Sequence, residues 1–412
     1  MPPGLPSVLP SMPPAQSSAL IVVACATAAQ AVNAMSNLLL PTIAPEVARS
    51  LDVDPALIGY QVSLLFGAAM IGSFFSGNAV LRWGAARSTQ ICSALCAVAL
   101  LLFAVPTIAS IVLGSIALGF ASALSAPAAA QLIVTFTEPH RRNLMFSIKQ
   151  TGVPIGGLLI ALIAPTLAVT VGWRWALPLV IGSSVLVIAI IEPRRKVWDA
   201  GRRAAGRAVH FPFGGIPFVW ERPVLRWLSW VGLCFGAVQR SLMTFTVVYL
   251  VAEADYTLVE AGVALSLVQV AGVGGRLFWG WVADRINASV TVLLMIAALT
   301  AVSCALLMAV SGTWPKGAVY SVFFIAGLAS LGWNGVLHAE TARNSPAGTI
   351  AIVSSASSFF IHAGILVVPA LFVAVYSALG SYSRAFGLLL AVSTAALALL
   401  WITRRAGCRA AR

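Results

Sequence analysis

The sequence predicts an all-α membrane protein of twelve transmembrane helices arranged as two pseudo-symmetric six-helix bundles. Three observations carry that prediction. Of 412 residues, 60% are hydrophobic and 9% charged, against about 25% charged in an ordinary soluble domain, which excludes a water-soluble globule. Twelve apolar runs are each long enough for a hydrocarbon core that takes roughly 20 helical residues to cross. A loop segment also recurs, beginning at Gly77 and again at Gly280, 203 residues further on.

Residues 1–17 are rich in Pro and Ser and hold no Lys or Arg. They lack the basic region of a cleaved signal peptide, so a disordered cytoplasmic tail before an uncleaved first helix is expected. The first bundle, 18–192, takes spans at 18–42, 56–80, 87–106, 107–133, 144–169 and 174–191. The polar, basic stretch 193–223 follows as a cytoplasmic linker, with Arg194, Arg195, Lys196, Arg202, Arg203 and Arg207 ahead of Phe211-Pro212-Phe213-Gly214-Gly215. The second bundle, 224–403, takes spans at 224–252, 257–283, 287–311, 317–340, 349–376 and 383–403, and 404–412 forms a basic cytoplasmic tail.

The net charge of +13 reads as topology. With the N-terminus cytoplasmic, only Arg49, Arg174, Lys316 and Arg384 fall outside, and Lys149, Arg240 and Arg276 fall within helices. The remainder of the 25 Lys and Arg lie on the cytoplasmic side, as the positive-inside rule requires. Nucleic-acid binding is therefore not needed to explain the charge, while contact of the linker with anionic lipid headgroups is compatible with it. Cys25, Cys92, Cys96, Cys234, Cys304 and Cys408 show neither metal-ligand spacing nor paired loop positions, so no metal, cofactor or disulfide is expected.

Gly77-Asn78-Ala79-Val80-Leu81-Arg82-Trp83-Gly84 follows the second span, and Gly280-Trp281-Val282-Ala283-Asp284-Arg285-Ile286-Asn287 follows the eighth. Gly172-Trp173-Arg174-Trp175-Ala176 before the sixth span is paralleled by Gly380-Ser381-Tyr382-Ser383-Arg384-Ala385 before the twelfth. With twelve spans in two halves and Gly-x-x-x-Asp-Arg at Gly280 to Arg285, nearly the whole chain resembles the major facilitator superfamily. The resemblance implies its two-bundle fold, with spans 1, 4, 7 and 10 lining a central cavity, spans 2, 5, 8 and 11 flanking it, and the rest outside. It also implies a cytoplasmic latch in which Gly280 permits close helix approach while Asp284 and Arg285 engage neighbouring helix ends. The first copy keeps Gly77, Arg82 and Gly84 but has Leu81 where the acid is expected. Gly152-Val153-Pro154-Ile155-Gly156-Gly157 partly resembles a segment of the family's antiporters, although close helix packing explains the same residues.

Polar side chains in the membrane are costly and mark functional positions. Arg240 is 17 residues from Pro223 and 13 from Glu253, roughly 20 Å or more from either membrane face at about 1.5 Å per residue. With Gln239 beside it, the planar guanidinium suits a carboxylate or phosphate. A structural Arg satisfied by backbone carbonyls is the alternative. Ser355, Ser358 and His362 share one helical face expected to look into the cavity, and His362 is read either as a packing residue or as a proton-coupling group. Gln30, Asn33 and Asn37 share a face of span one, where amides bind solute or join helices. Gln269 on span eight and Trp333-Asn334 on span ten add to the set, Trp333 as a stacking face. Lys149 and Gln150, about two turns into span five, either contact solute or snorkel. Arg276 is expected to be structural.

No Asp or Glu falls mid-membrane. Exporters of cationic drugs in the superfamily place a carboxylate in the cavity, and this chain offers none. The expected function is secondary transport of a small anionic solute such as a carboxylate, by alternating access of a monomer in a bacterial inner membrane, coupled to protons or by exchange. A broad-specificity drug or metabolite exporter with an apolar pocket of Trp333, Phe245 and Tyr249 is the rival. A polytopic enzyme or sensor is remote, because no catalytic grouping stands at a plausible depth.

Overall fold

The structure, a computed structural model, describes residues 17–43, 47, 49–50, 57–105, 107–200, 215–256, 258–310 and 313–410. The expected N-terminal tail, most of the linker with Arg202, Arg203 and Arg207, and the acids Glu46, Asp52 and Asp54 lie outside the described residues. Among those described, every regular element is helical, as hydrocarbon demands of a chain whose backbone polar groups must be satisfied internally.

The spans run Ser17–Thr42, Leu57–Trp83, Ala85–Ala104 and Ile108–Phe136. A split fifth follows (Arg142–Gln150 and Gly152–Leu167), then Ala176–Trp198. The second half runs Pro223–Glu253, Leu258–Ile286 and Ser289–Ala309, then a split tenth (Lys316–Ser330 and Trp333–Arg343), Ile350–Leu379 and Tyr382–Ala410. Among the described residues, ten helices are long and apolar enough to cross a membrane on those grounds alone. The other two spans are the interrupted fifth and the 31-residue Pro223–Glu253, which carries Gln239 and Arg240. The last helix extends to Ala410 instead of ending near 403. Its Arg405 lies over the Trp401 ring, with Cζ 3.3 Å from the centroid. Part of the linker is helical as well, in the last turns of Ala176–Trp198 and in Ile216–Trp220.

Both interruptions have local causes. Pro154 has no N–H, and its ring meets the carbonyl of Gln150, where the fifth span breaks. In the tenth, Gly332 N–H turns to Ala329 O at 3.0 Å. The Leu328 carbonyl so released accepts Trp279 Nε1 at 3.0 Å.

Each half has its own apolar core. Leu39, Leu100, Phe103 and Leu118 centre one, and Tyr249, Phe323, Phe372 and Phe386 centre the other. The repeat is visible in the backbone. Gly84 (φ 95°) and Asn287 (φ 49°) occupy matching places in the two loop copies, and Gly172 (φ 101°) and Gly380 (φ 66°) turn the chain into the sixth and twelfth spans. All four are left-handed positions that Gly and Asn tolerate best.

The halves meet at the end of the bundle that carries Arg82, Arg141, Arg285 and Arg343, called here the basic end. Val23, Ala130, Ile133, Met145 and Phe146 of the first half form one apolar cluster with Ala339 and Ala342 of the second. The second and eleventh spans also pack on each other. The cavity is therefore closed on that side.

Candidate functional site

A cavity of about 230 Å³ lies between the halves, lined by spans 1, 2, 4, 5, 7, 8, 10 and 11. Twelve of the side chains singled out from the sequence line it: Gln30, Asn33, Asn37, Lys149, Gln150, Gln239, Arg240, Gln269, Trp333, Asn334, Ser358 and His362. Both helix interruptions reach it, through Gln150 and Leu331.

Arg240 stands over Phe66, with Cζ 5.4 Å from the ring centroid, a cation–π contact. Its guanidinium has no hydrogen-bond or ion-pair partner among the described residues. Gln239 Oε1 accepts Asn334 Nδ2 at 3.0 Å, so spans seven and ten are joined beside the guanidinium.

Lys149 is buried, and its Nζ donates to Gln30 Oε1 at 2.5 Å. Ser125 Oγ donates to the same oxygen at 2.8 Å. The ammonium is thus held by a neutral amide inside the protein and does not snorkel. Asn33 Oδ1 accepts Ser122 Oγ at 3.2 Å, and Asn37 Nδ2 donates to the same hydroxyl at 3.0 Å. These two amides tie span one to span four, while Asn37 Oδ1 stays unpaired among the described residues. Trp333 stacks on Phe235 (5.4 Å between centroids, 23° between planes), and its indole N–H meets no acceptor among the described residues.

The serine stripe divides. His362 and Ser358 reach the cavity, and His362 Nδ1 lies 3.3 Å from Ser73 Oγ. Ser355 instead turns into the seam with span two. There it pairs with Ser76 Oγ at 2.8 Å, accepts the Gly77 N–H at 3.1 Å and donates to the Ser73 carbonyl. The rival aromatic pocket is not assembled. Phe245 stacks on Phe372 and Tyr249 donates its hydroxyl to Leu307 O at 2.6 Å, both away from the cavity lining, so only Trp333 of that trio faces it.

Two residues were missed. Arg276, expected to be structural, lines the cavity while 2% exposed, and its Nε and Nη1 have no acceptor among the described residues. His338 also lines it, stacked on Phe146 at 6.3 Å. Helical spacing held a signal for both. Arg276 is two turns from Gln269, and His338 one turn from Asn334. Among the described residues, no Asp or Glu contributes to the lining.

At the basic end, Asp284 accepts Asn143 Nδ2 at 2.6 Å and Leu144 N–H at 2.9 Å, binding span eight to the start of span five. Gly280 permits that approach, since a Cβ there would stand 2.3 Å from Ser147 Oγ. Gly77 is equally close-packed, with Ile352 Cα 2.9 Å from a Cβ built on it. Arg82 and Arg285 depart from the expected latch. Both are exposed and make no hydrogen bond or ion pair among the described residues. In the first half, where Leu81 replaces the acid, Asp199 supplies a carboxylate to the start of span three through Ala86 N–H (2.9 Å) and Arg87 N–H (3.1 Å).

A family profile described as the Major Facilitator Superfamily matches residues 26–369. An uncharacterised MFS-type transporter of Mycobacterium tuberculosis is 26% identical over 202 residues, covering 48% of this chain and 43% of its own. A probable hexose phosphate transport protein of Chlamydia trachomatis is 24% identical over 187 residues, 39% of this chain and 41% of its own. These matches therefore span less than half the length of either relative. Among solved structures, the Escherichia coli fucose:proton symporter superposes with a TM-score of 0.72 at 14% identity, covering 94% of this chain and 99% of the other. A proton:xylose symporter gives 0.73 at 14% identity, covering 93% and 95%.

Proposed function

The chain belongs to the major facilitator superfamily, and from that premise we propose that it carries a small organic anion across a bacterial inner membrane by alternating access. Arg240 is the observation that carries this reading. Its guanidinium meets a cavity that also holds Lys149 and Arg276, and among the described residues the cavity has no carboxylate and the guanidinium no hydrogen-bond or ion-pair partner. A planar fork of donors pairs well with a carboxylate or phosphate. In a low-dielectric cavity, the summed positive field admits anions and rejects cations.

The neighbouring groups take supporting roles in this reading. Gln239, Asn334, Gln30, Gln150 and Gln269 give neutral hydrogen bonds, Trp333 offers a stacking face, and His362 with Ser358 marks the boundary toward span two. His362 is the candidate proton carrier, while exchange of one anion for another needs no titrating group. With the basic end cytoplasmic by the charge rule, both termini are cytoplasmic and the closed seam stands between the site and the cytoplasm. The halves 18–192 and 224–403 rock about the site, joined by 193–223, and a monomer suffices. Gly77, Gly280 and Asp284 hold the seam. Similarity to a probable hexose phosphate transport protein favours an anion. The fucose and xylose symporters are named for neutral sugars, which would leave three cations unpaired.

Thermal stability of the purified protein, screened against carboxylates, phosphates and cationic drugs, tests the proposal. Carboxylates or phosphates should raise the melting temperature, and Arg240→Ala should remove the effect. Stabilisation by cationic drugs alone, unchanged in Arg240→Ala, would favour the broad-specificity exporter.

A further inference from the structure

The cavity carries more positive charge than one carboxylate balances, and the charges lie at two heights. Counted from the basic end at about 1.5 Å per residue, Lys149 lies about 10 Å in, Arg276 about 15 Å and Arg240 about 26 Å. Resting on the anion reading above, we propose that the solute is a dicarboxylate, with one carboxylate on Arg240 and the other on Arg276, in the cavity that Lys149 also lines.

The lower level is built for an acceptor that the protein does not provide. Arg276 is buried with Nε and Nη1 unpaired among the described residues, and Trp333 Nε1 is buried and unpaired as well. Among the described residues, Lys149 hydrogen-bonds only the neutral oxygen of Gln30. A buried cation without a counter-charge is strongly unfavourable, and unpaired N–H donors around it add to the cost. A carboxylate arriving at Arg276 gives its unpaired N–H groups an acceptor and a counter-charge, which Arg240, standing higher beside Phe66, cannot do. A monoanion at either level leaves the other uncompensated. Two carboxylates on a flexible chain satisfy both and bridge span seven to span eight, in the cavity that Lys149 of span five also lines.

The test compares acids of matched length at fixed ionic strength on the purified full chain. Succinate, glutarate and adipate are set against butyrate, hexanoate, oxalate and a simple phosphate monoester. Wild-type protein should bind one of the longer dicarboxylates at least about tenfold more tightly than its monocarboxylate counterpart, a gain of one ion pair. Oxalate, too short to reach both levels, should behave as a monoacid. Arg276→Gln should reduce the tenfold preference to about twofold or less while monocarboxylates still bind, and Arg276→Lys should restore part of it. Equal binding of mono- and dicarboxylates by wild type overturns the inference, whether or not the variants fold, and so does a preference unchanged in Arg276→Gln. A phosphate monoester that outbinds every dicarboxylate also overturns it, in favour of one doubly charged group. In each of those cases the anion reading survives as long as Arg240→Ala abolishes binding. If no anion binds wild type, both fall.

Discussion

Asp284 reaches across the two halves to the first turn of span five, where its Oδ2 accepts the Leu144 backbone N–H at 2.9 Å. A carboxylate at a helix N-terminus satisfies an otherwise free donor and faces the positive end of the helix dipole. Asn143, on the same carboxylate, passes the contact on, because its Oδ1 accepts Ser289 Oγ, which in turn accepts Arg343 Nη1. The seam is therefore a hydrogen-bonded chain through spans five, eight, nine and ten.

Removing that carboxylate is expected to open the basic end. Capping losses of about 0.5–2 kcal/mol correspond to a two- to thirty-fold fall in the ratio of closed to open molecules. A cysteine placed at Ala339, buried in the interhalf cluster, should react faster with an impermeant thiol reagent in Asp284→Ala. Asp284→Asn, which keeps one acceptor oxygen, should fall between. Cys25, Cys92, Cys96, Cys234 and Cys304 are buried, and the assay is run in a Cys408→Ser background to keep the native signal low. Equal reactivity in all three proteins would remove Asp284 from the latch.

Ser355 plays the corresponding part on the other side, with hydroxyls where the loop copy has lost its acid at Leu81. Ser355→Ala should cost about 1 kcal/mol of closure, the net worth of ordinary hydrogen bonds. The two seams share no hydrogen-bond partner, so the double variant with Asp284→Ala should be additive to within about 0.5 kcal/mol. The same labelling assay reads this, and strong non-additivity would mean that the seams form one cooperative unit.

The fold was legible because its signals are long-range averages: twenty-residue apolar runs, loop charges and a repeat. The cavity set was legible because polar side chains in lipid are few. What the sequence could not show was which polar groups already had partners. Asn33 and Asn37 look like Arg240 in a census, yet the amides are bonded to Ser122 and the guanidinium is free to meet a solute. Arg276, expected to be structural, lines the cavity, since depth in the membrane follows from residue count, whereas burial depends on how the helix is rotated against its neighbours.

Gly335 sets how closely the tenth span meets the fifth. A Cβ on it would lie 2.0 Å from Ser147 Oγ and 2.5 Å from Ser147 Cα, and backbone cannot yield as a side-chain tip does. Gly335→Ala should fold, since each half keeps its own core, but should close poorly at the basic end. Thiol labelling at Ala339 should rise at least as much as in Asp284→Ala, and transport should be lost. Full transport by Gly335→Ala would show that the halves need not approach this closely.

Lys149 separates stability from function. Its ammonium is 3% exposed and, among the described residues, meets an amide oxygen but no carboxylate, so the solute-free protein bears the cost of desolvating it. Replacing buried charges with apolar side chains of similar volume is often neutral or stabilising by about 1–4 kcal/mol, and Met matches the shape of Lys. Lys149→Met should therefore melt at the same temperature as wild type or a few degrees higher without solute, while the stabilisation given by an anion shrinks. A side chain kept for packing alone would behave in the opposite way, lowering the solute-free melting temperature and leaving the anion-induced shift intact. Both quantities come from one melting series with and without succinate, so a general loss of folding cannot be mistaken for a loss of binding.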